Sequence, residues 1–178
     1  VADLLFGTFE YANASYNQFT NTISFGTLFV DFAEDGDVAI HEYGHSLHDN
    51  VQGGIGNGEN GAVSEGFGDF VAGLHSDDAL LGEWVAAGLG GWTGFPALRR
   101  MDEVRHYPFD LVNEVHEDGK IWCGALWESH LMIGADDVLR LAIEGLVLGN
   151  QNSDLPACAR NLFAAEQVLF GGARRRYL

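Results

Sequence analysis

The sequence predicts an α+β fold, with a small N-terminal β region leading into helices. Three observations carry this reading: aromatic and β-branched residues crowd roughly the first thirty positions, helical apolar spacing dominates after residue 38, and no linker or internal repeat divides the chain. One domain over 1–178 is therefore expected, with a strand-rich region at 1–37, a helix pair at 38–75 and a mainly helical part at 76–178.

The expected strands are Leu5 to Tyr11, Tyr16 to Phe25 and Thr27 to Phe32, broken by Asn, Gly and Thr. The stretch Ala33-Glu34-Asp35-Gly36-Asp37 supplies turn residues, with Asp37 best placed to cap a helix from about Val38 to about Val51. Gly53-Gly54 ends that helix. Residues 53–61, GGIGNGENG, follow a helix rather than a strand, which argues against a phosphate cradle. A second helix runs from about Ala62 to about His75. After a loop holding Pro96 and Pro108, apolar spacing places helices near Ile121 to Ile133, Asp136 to Leu148 and Leu155 to Phe170. The aromatic residues Trp84, Trp92, Trp122 and Trp127 read mainly as core.

Composition narrows the function classes. With 178 residues and 47% hydrophobic content the chain can bury a core. No run approaches the roughly 18–20 apolar residues of a membrane span, and no basic-then-apolar signal opens the chain. The start at Val1 suggests a processed or trimmed piece of a larger precursor. A net charge of -17 would repel nucleic acid and anionic membranes, so neither is an expected partner. Lys120 is the single lysine, and a salty habitat, a GC-rich genome or bound calcium would each account for such an acid-rich surface. Cys123 and Cys158 fit either one disulfide in an oxidising compartment or two buried thiols.

The chemistry concentrates in His41-Glu42-Tyr43-Gly44-His45. Imidazoles four residues apart on a helix lie about 40° apart around its axis, so both can face one metal ion. Glu42 stands beside the pair, where its carboxylate can take a proton from water instead of binding metal. A catalytic zinc needs a third protein group, and Glu65 on the next helix supplies it. Asp69, four residues on along the same face, can receive the outer N–H of a ligating histidine. His48 does not fit the longer spacing in which a third histidine ligates, and His75, His106 and His130 have no ligand spacing.

Together with Ser64-Glu65-Gly66-Phe67-Gly68-Asp69 and the later VHEDGKIWCGALW, the HEYGH segment resembles the thermolysin and fungalysin group of gluzincin metallopeptidases, more closely the fungalysin side. The likeness runs from about Asn13 to about Trp127. It implies a thermolysin-like fold and a secreted zinc endopeptidase acting on protein or peptide substrates. Zinc would sit on His41, His45 and Glu65, with Glu42 and His116 catalytic. The resemblance further implies that Asn13-Ala14 belong to the edge strand that pairs with substrate, and that Asp37 matches a calcium-binding aspartate, a role an N-cap explains equally well; Asp77 and Asp78 are further calcium candidates.

The sequence departs from the pattern in places. The glycine-rich loop lacks the tyrosine that thermolysin carries there, and Tyr107 is the candidate substitute. Arg99, Arg100 and Arg105 all lie where a substrate-gripping base is expected, with Arg100 taken as the substrate contact. The partner of His116 is left between Asp110 and Glu114. These departures, with a short upstream region, motivate one rival: an inactive zinc-binding structural or adhesive module of a larger secreted protein.

Overall fold

A computed structural model describes residues 3–90, 94 and 96–178, which leaves Trp92 outside the described residues. Strands β1 (Asp3–Phe9), β2 (Ala14–Asn17) and β3 (Thr22–Gly26) form a sheet in the order β1-β3-β2. The β2–β3 pair is an antiparallel hairpin with Ala14 opposite Phe25 and Asn17 opposite Thr22. The continuous Tyr16–Phe25 run is interrupted because Asn17 Oδ1 accepts from the backbone N–H of Phe19 and Thr20, and Asn21 turns with φ 53°. β2 is left at the edge of the sheet.

The third expected strand, Thr27 to Phe32, does not form. Phe29 adopts φ 71°, a left-handed conformation no strand tolerates, and Asp31 Oδ1 accepts from Ala33 N to open a short 3-10 turn at Phe32–Glu34. Helix α1 (Gly36–Gln52) follows, capped by Asp35 rather than Asp37. Asp35 Oδ1 accepts from Asp37 N at 3.1 Å while its Oδ2 accepts from Val85 N at 2.9 Å, so one carboxylate ties two elements together. Asp37 instead accepts from Gly82 N.

Helix α2 (Glu59–Ser76) is the centre of the molecule, with α1 against one side and α4 (Val115–Ile133) against the other. Glycines permit both contacts: a Cβ at Gly44 would stand 2.7 Å from Gly68 Cα, and one at Gly66 would stand 2.3 Å from Gly119 O. The same glycine explains why α4 begins before the expected Ile121: Gly119 lowers helix propensity but is needed for close approach, while Glu114 caps the helix by accepting from His116 N and Glu117 N.

Helices α5 (Ala135–Val147) and α6 (Leu155–Phe170) complete the back, where Phe67, Phe70, Leu126 and Leu141 lie fully buried with Trp122 and Trp127. A smaller cluster of Ile23, Phe25, Phe32, Val38 and Val85 joins the sheet to α1. Among its described residues the 76–114 segment carries three elements that periodicity did not reveal: β4 (Leu80–Leu81), α3 (Glu83–Gly88) and β5 (Arg99–Arg100). Trp84 on α3 is exposed, not core. Cys123 and Cys158 are both buried free thiols.

Candidate active site

The bare contact between Gly44 and Gly68 sets two helix faces close enough for their side chains to interlock. His41 and His45, one turn apart on α1, face Glu65 on α2: His41 Nε2 is 3.3 Å from Glu65 Oε2 and His45 Nε2 is 3.5 Å from Oε1. One ligand atom from each of the three residues falls within 4.8 Å of the others. Each imidazole is held from behind, His41 Nδ1 at 2.7 Å from Asp69 Oδ1 and His45 Nδ1 at 2.8 Å from Ser64 Oγ, which leaves both Nε2 atoms turned inward. Two imidazole nitrogens and a carboxylate are the donor set of an open zinc site. Buried Glu65 Oε2 lacks a hydrogen-bond partner, an orphan that a cation at this point would satisfy. The residues present therefore fit a metal ion.

The electrostatics are those of a charge-rich buried site. Burial pulls His41 down, but the hydrogen bond and charge of Asp69, reinforced by Glu65, outweigh it and raise the imidazole to about 10. Burial and the His41 charge depress His45 to about 3. Burial raises Glu65, yet its contacts with His41 and His45 win and bring it to about 2. Asp69 is held well below the carboxylate range despite its burial by Arg99 and His41. Arg99 grips it with two bonds, Nε to Oδ2 at 2.8 Å and Nη2 to Oδ1 at 2.7 Å. Glu42 differs: burial dominates and pushes its carboxyl up, although the His41 charge opposes this. Its Oε2 is buried without a partner, and the nearby Tyr16 backbone opposes the rise only in small part.

A cavity of about 220 Å³ opens over this cluster, walled by Asn13, Ala14, Ser15 and Tyr16 on one side and by Val38, Leu81, Leu98 and Arg99 on another. Glu42 and His116 also face it. The expected pair Asn13 and Ala14 thus lies where edge strand β2 borders the cavity. Half-exposed His116 places Nε2 3.5 Å from Glu65 Oε2, and its Nδ1 is 2.7 Å from Glu114 Oε1. Glu114 is therefore its partner; Asp110 accepts from His106 N instead.

Two expected substrate contacts are corrected. Arg100 pairs with Asp102 on the surface and does not line the cavity, because successive strand residues point to opposite sides and its neighbour Arg99 takes the inward position. Tyr107 also lies outside the cavity, and its phenol faces Glu59. His48 is fully buried and turned to Gln52, away from the cluster. Ser64 was missed: only its position immediately before Glu65, on the helix face turned to α1, could have flagged it.

Among the described residues, the one convergence of three metal-ligating groups is this His/His/Glu set; Asp37 and Glu83 interact near Gly82 without forming a second one. A family model described as Fungalysin metallopeptidase matches residues 25–136, which contain every residue of the cluster. The chain is 33% identical to the Probable extracellular metalloproteinase 2 of Arthroderma benhamiae over 184 aligned positions, covering 80% of this chain and 29% of that protein. It is 32% identical to the Extracellular metalloproteinase mep of Aspergillus flavus, covering 51% of this chain and 17% of that one. The chain thus spans less than a third of the length of these relatives. The precursor of protealysin, a metalloproteinase from Serratia proteamaculans, has a similar fold, with a TM-score of 0.72 at 20% identity over 98% of this chain and 65% of that one. With the match spanning well over half of the chain and the metal-ligating groups converging inside it, this protein belongs to the fungalysin metallopeptidase family.

Proposed function

We propose that this chain is the catalytic part of a secreted zinc endopeptidase, with His41, His45 and Glu65 as metal ligands. The observation that carries the reading is the convergence of His41 Nε2, His45 Nε2 and the Glu65 carboxylate, each ring being held from behind by Asp69 or Ser64. Secretion is supported by relatives named extracellular metalloproteinases.

When bound, zinc supplies Lewis-acid charge that acidifies water and polarises a peptide carbonyl. The protein's own groups do the rest. The free edge of β2 takes the substrate as an added strand, from Asn13 to Tyr16. Glu42, whose carboxyl burial pushes up, accepts a proton from the attacking water and delivers it to the departing amine. His116 Nε2 donates to the oxygen on which negative charge grows, and Glu114 at its Nδ1 fixes the ring for that task. Arg99 anchors Asp69 and reaches the cavity wall, where its guanidinium can meet a substrate carbonyl.

The test is cleavage of a quenched casein substrate with and without a zinc chelator, beside metal analysis by mass spectrometry. Chelator-sensitive cleavage with about one zinc per chain is expected. Glu42→Gln should abolish cleavage while retaining zinc. Bound zinc without any cleavage by the unsubstituted protein would replace this reading with that of an inert metal-binding module.

A further inference from the structure

Two cavities flank the metal-ligating cluster, the one over it and a second of about 310 Å³ beneath the glycine-rich loop, and they share three lining residues: His45, Glu65 and Tyr16. The first two belong to the cluster. Tyr16 belongs to β2, and it runs along a stripe of α1. Glu42, His45 and Asp49 stand at i, i+3 and i+7, which is one face of that helix. Tyr16 meets the face at all three levels. Its backbone lies near enough to Glu42 to oppose a small part of the rise in that carboxyl, it shares two cavity walls with His45, and its hydroxyl donates to Asp49 Oδ2 at 2.6 Å.

Both ends of that hydrogen bond are unusual. Burial, then Asp49, pushes the Tyr16 phenol up to about 12, so it remains a donor throughout the neutral range. Asp49 is an acid in the last turn of α1, which ends at Gln52, where the helix dipole disfavours negative charge. A residue that breaks a local rule yet holds a partner 33 positions away points to a demand beyond helix stability.

We propose that Tyr16 is a positioning residue: its hydroxyl, bound to Asp49, sets the register of β2 along α1 and so places a peptide paired with that strand at the height of the metal-ligating cluster. The identity of the peptide rests on the peptidase reading; the clamp is read from the protein alone. β2 pairs only with β3, from Ala14 opposite Phe25 to Asn17 opposite Thr22, and these bonds fix it within the sheet rather than against α1. Strand residues lie about 3.3 Å apart, and a misplacement of about 1 Å at reacting atoms can cost on the order of 10²-fold in rate. A template strand that drifts by a fraction of one residue therefore presents the bond out of line. Apolar packing of the Tyr16 ring resists such drift weakly because it has no direction; a hydrogen bond has one. Gln18, in the turn that follows, ties to Ile55 of the glycine-rich loop instead of to α1.

The experiment uses the zinc-loaded protein and two substrates: a peptide of about eight residues cleaved near its centre, which can pair along all of β2, and a blocked dipeptide amide that spans little more than the cleaved bond. Tyr16→Phe keeps the ring and loses the hydroxyl. It should lower kcat/KM about tenfold for the longer peptide and less than about threefold for the dipeptide amide, with zinc content unchanged. Asp49→Ala should reproduce this selective loss although it relieves the acid in the last turn, and Asp49→Asn, which retains an acceptor oxygen, should lose less. Tyr16→Phe combined with Asp49→Ala should lose no more than either alone. Hydrogen exchange of the β2 amides, followed by mass spectrometry without substrate, should quicken about tenfold in Tyr16→Phe while α4 is unaffected. Equal losses on the two substrates, additive losses in the double variant, or unchanged exchange in β2 overturns the clamp. Failure of the unsubstituted protein to cleave either substrate removes the peptidase reading, and the exchange measurement still decides the clamp.

Discussion

Asp69 accepts from His41 Nδ1 at 2.7 Å and takes two bonds from Arg99, so a single buried carboxylate orients a ring of the candidate metal site and neutralises a buried guanidinium. Asp69→Asn keeps the shape and loses the charge. It should weaken zinc binding about 10–100-fold, measured by competition with a chromophoric chelator. Asp69→Ala should also unfold more easily in urea, by about 3–5 kcal/mol, because Arg99 is left buried without its partner. Unchanged zinc affinity in the Asn variant would remove the orienting role.

His116 touches the cluster from a half-exposed position, so its removal should spare the fold. His116→Ala is expected to lower kcat about 10²–10³-fold with little change in KM or zinc content. A loss confined to KM would mark it as a binding group rather than a donor to the developing oxyanion.

Proton linkage is expected to make the metal-free protein lose stability both below about pH 4.5 and above about pH 6.5. The folded pKa of His45 is depressed to about 3 and that of Glu65 to about 2, so both bind fewer protons folded than unfolded, and stability falls as pH drops below about 6.5 for His45 and 4.5 for Glu65. His41, raised to about 10, holds its proton when folded, so its contribution is complete below about 6.5 and disappears as pH climbs toward 10. The raised carboxyl of Glu42 works against the acid limb, giving up stability as pH rises above its unfolded value. Urea midpoints of the chelator-treated protein between pH 4 and 9 should therefore trace a dome. Zinc should stabilise more as pH rises, because ligation requires His41 to give up that proton. A midpoint that climbs steadily through pH 9 without metal would contradict the assignment.

Gly44→Ala pits two effects against each other. Alanine improves helix propensity by about 1 kcal/mol. Its Cβ, however, would meet the Gly68 backbone at 2.7 Å, and overpacking of that kind costs about 1–3 kcal/mol. Net destabilisation is expected, together with weaker zinc binding, because the displaced helices carry all three ligating groups. Calorimetry with and without zinc measures both.

What could be read from the sequence follows from how local each feature is. The spacing of His41, His45, Glu65 and Asp69 was legible because helix geometry converts residue offsets directly into faces. The α6 boundaries were equally plain, as Asp154 and Gly171 bracket the apolar spacing. Ser64 was not, since its contact depends on how α1 crosses α2. Arg99 could not be told from Arg100, because a two-residue strand has no periodicity to read. The false strand at Thr27–Phe32 shows the converse: an apolar run resembles a strand until Phe29 proves to be exposed and turned. Tyr107 failed for the same reason as Ser64, its place being set by a loop whose path only tertiary packing decides.

The unpaired edge of β2 has a second consequence, for the behaviour of the protein in solution. The edge that the proposed function gives to a peptide would also accept the same edge of another copy, which is how sheet proteins begin to aggregate. Chain length and core size do nothing to prevent this. The surplus of acids does: two copies at net charge -17 repel each other before their strands can meet, whereas a short basic peptide is drawn in. Concentrated salt, which shortens the reach of that repulsion to about 3 Å at 1 M, removes the barrier. Colloidal stability and substrate capture thus draw on the same charge, and solutions of low ionic strength favour both.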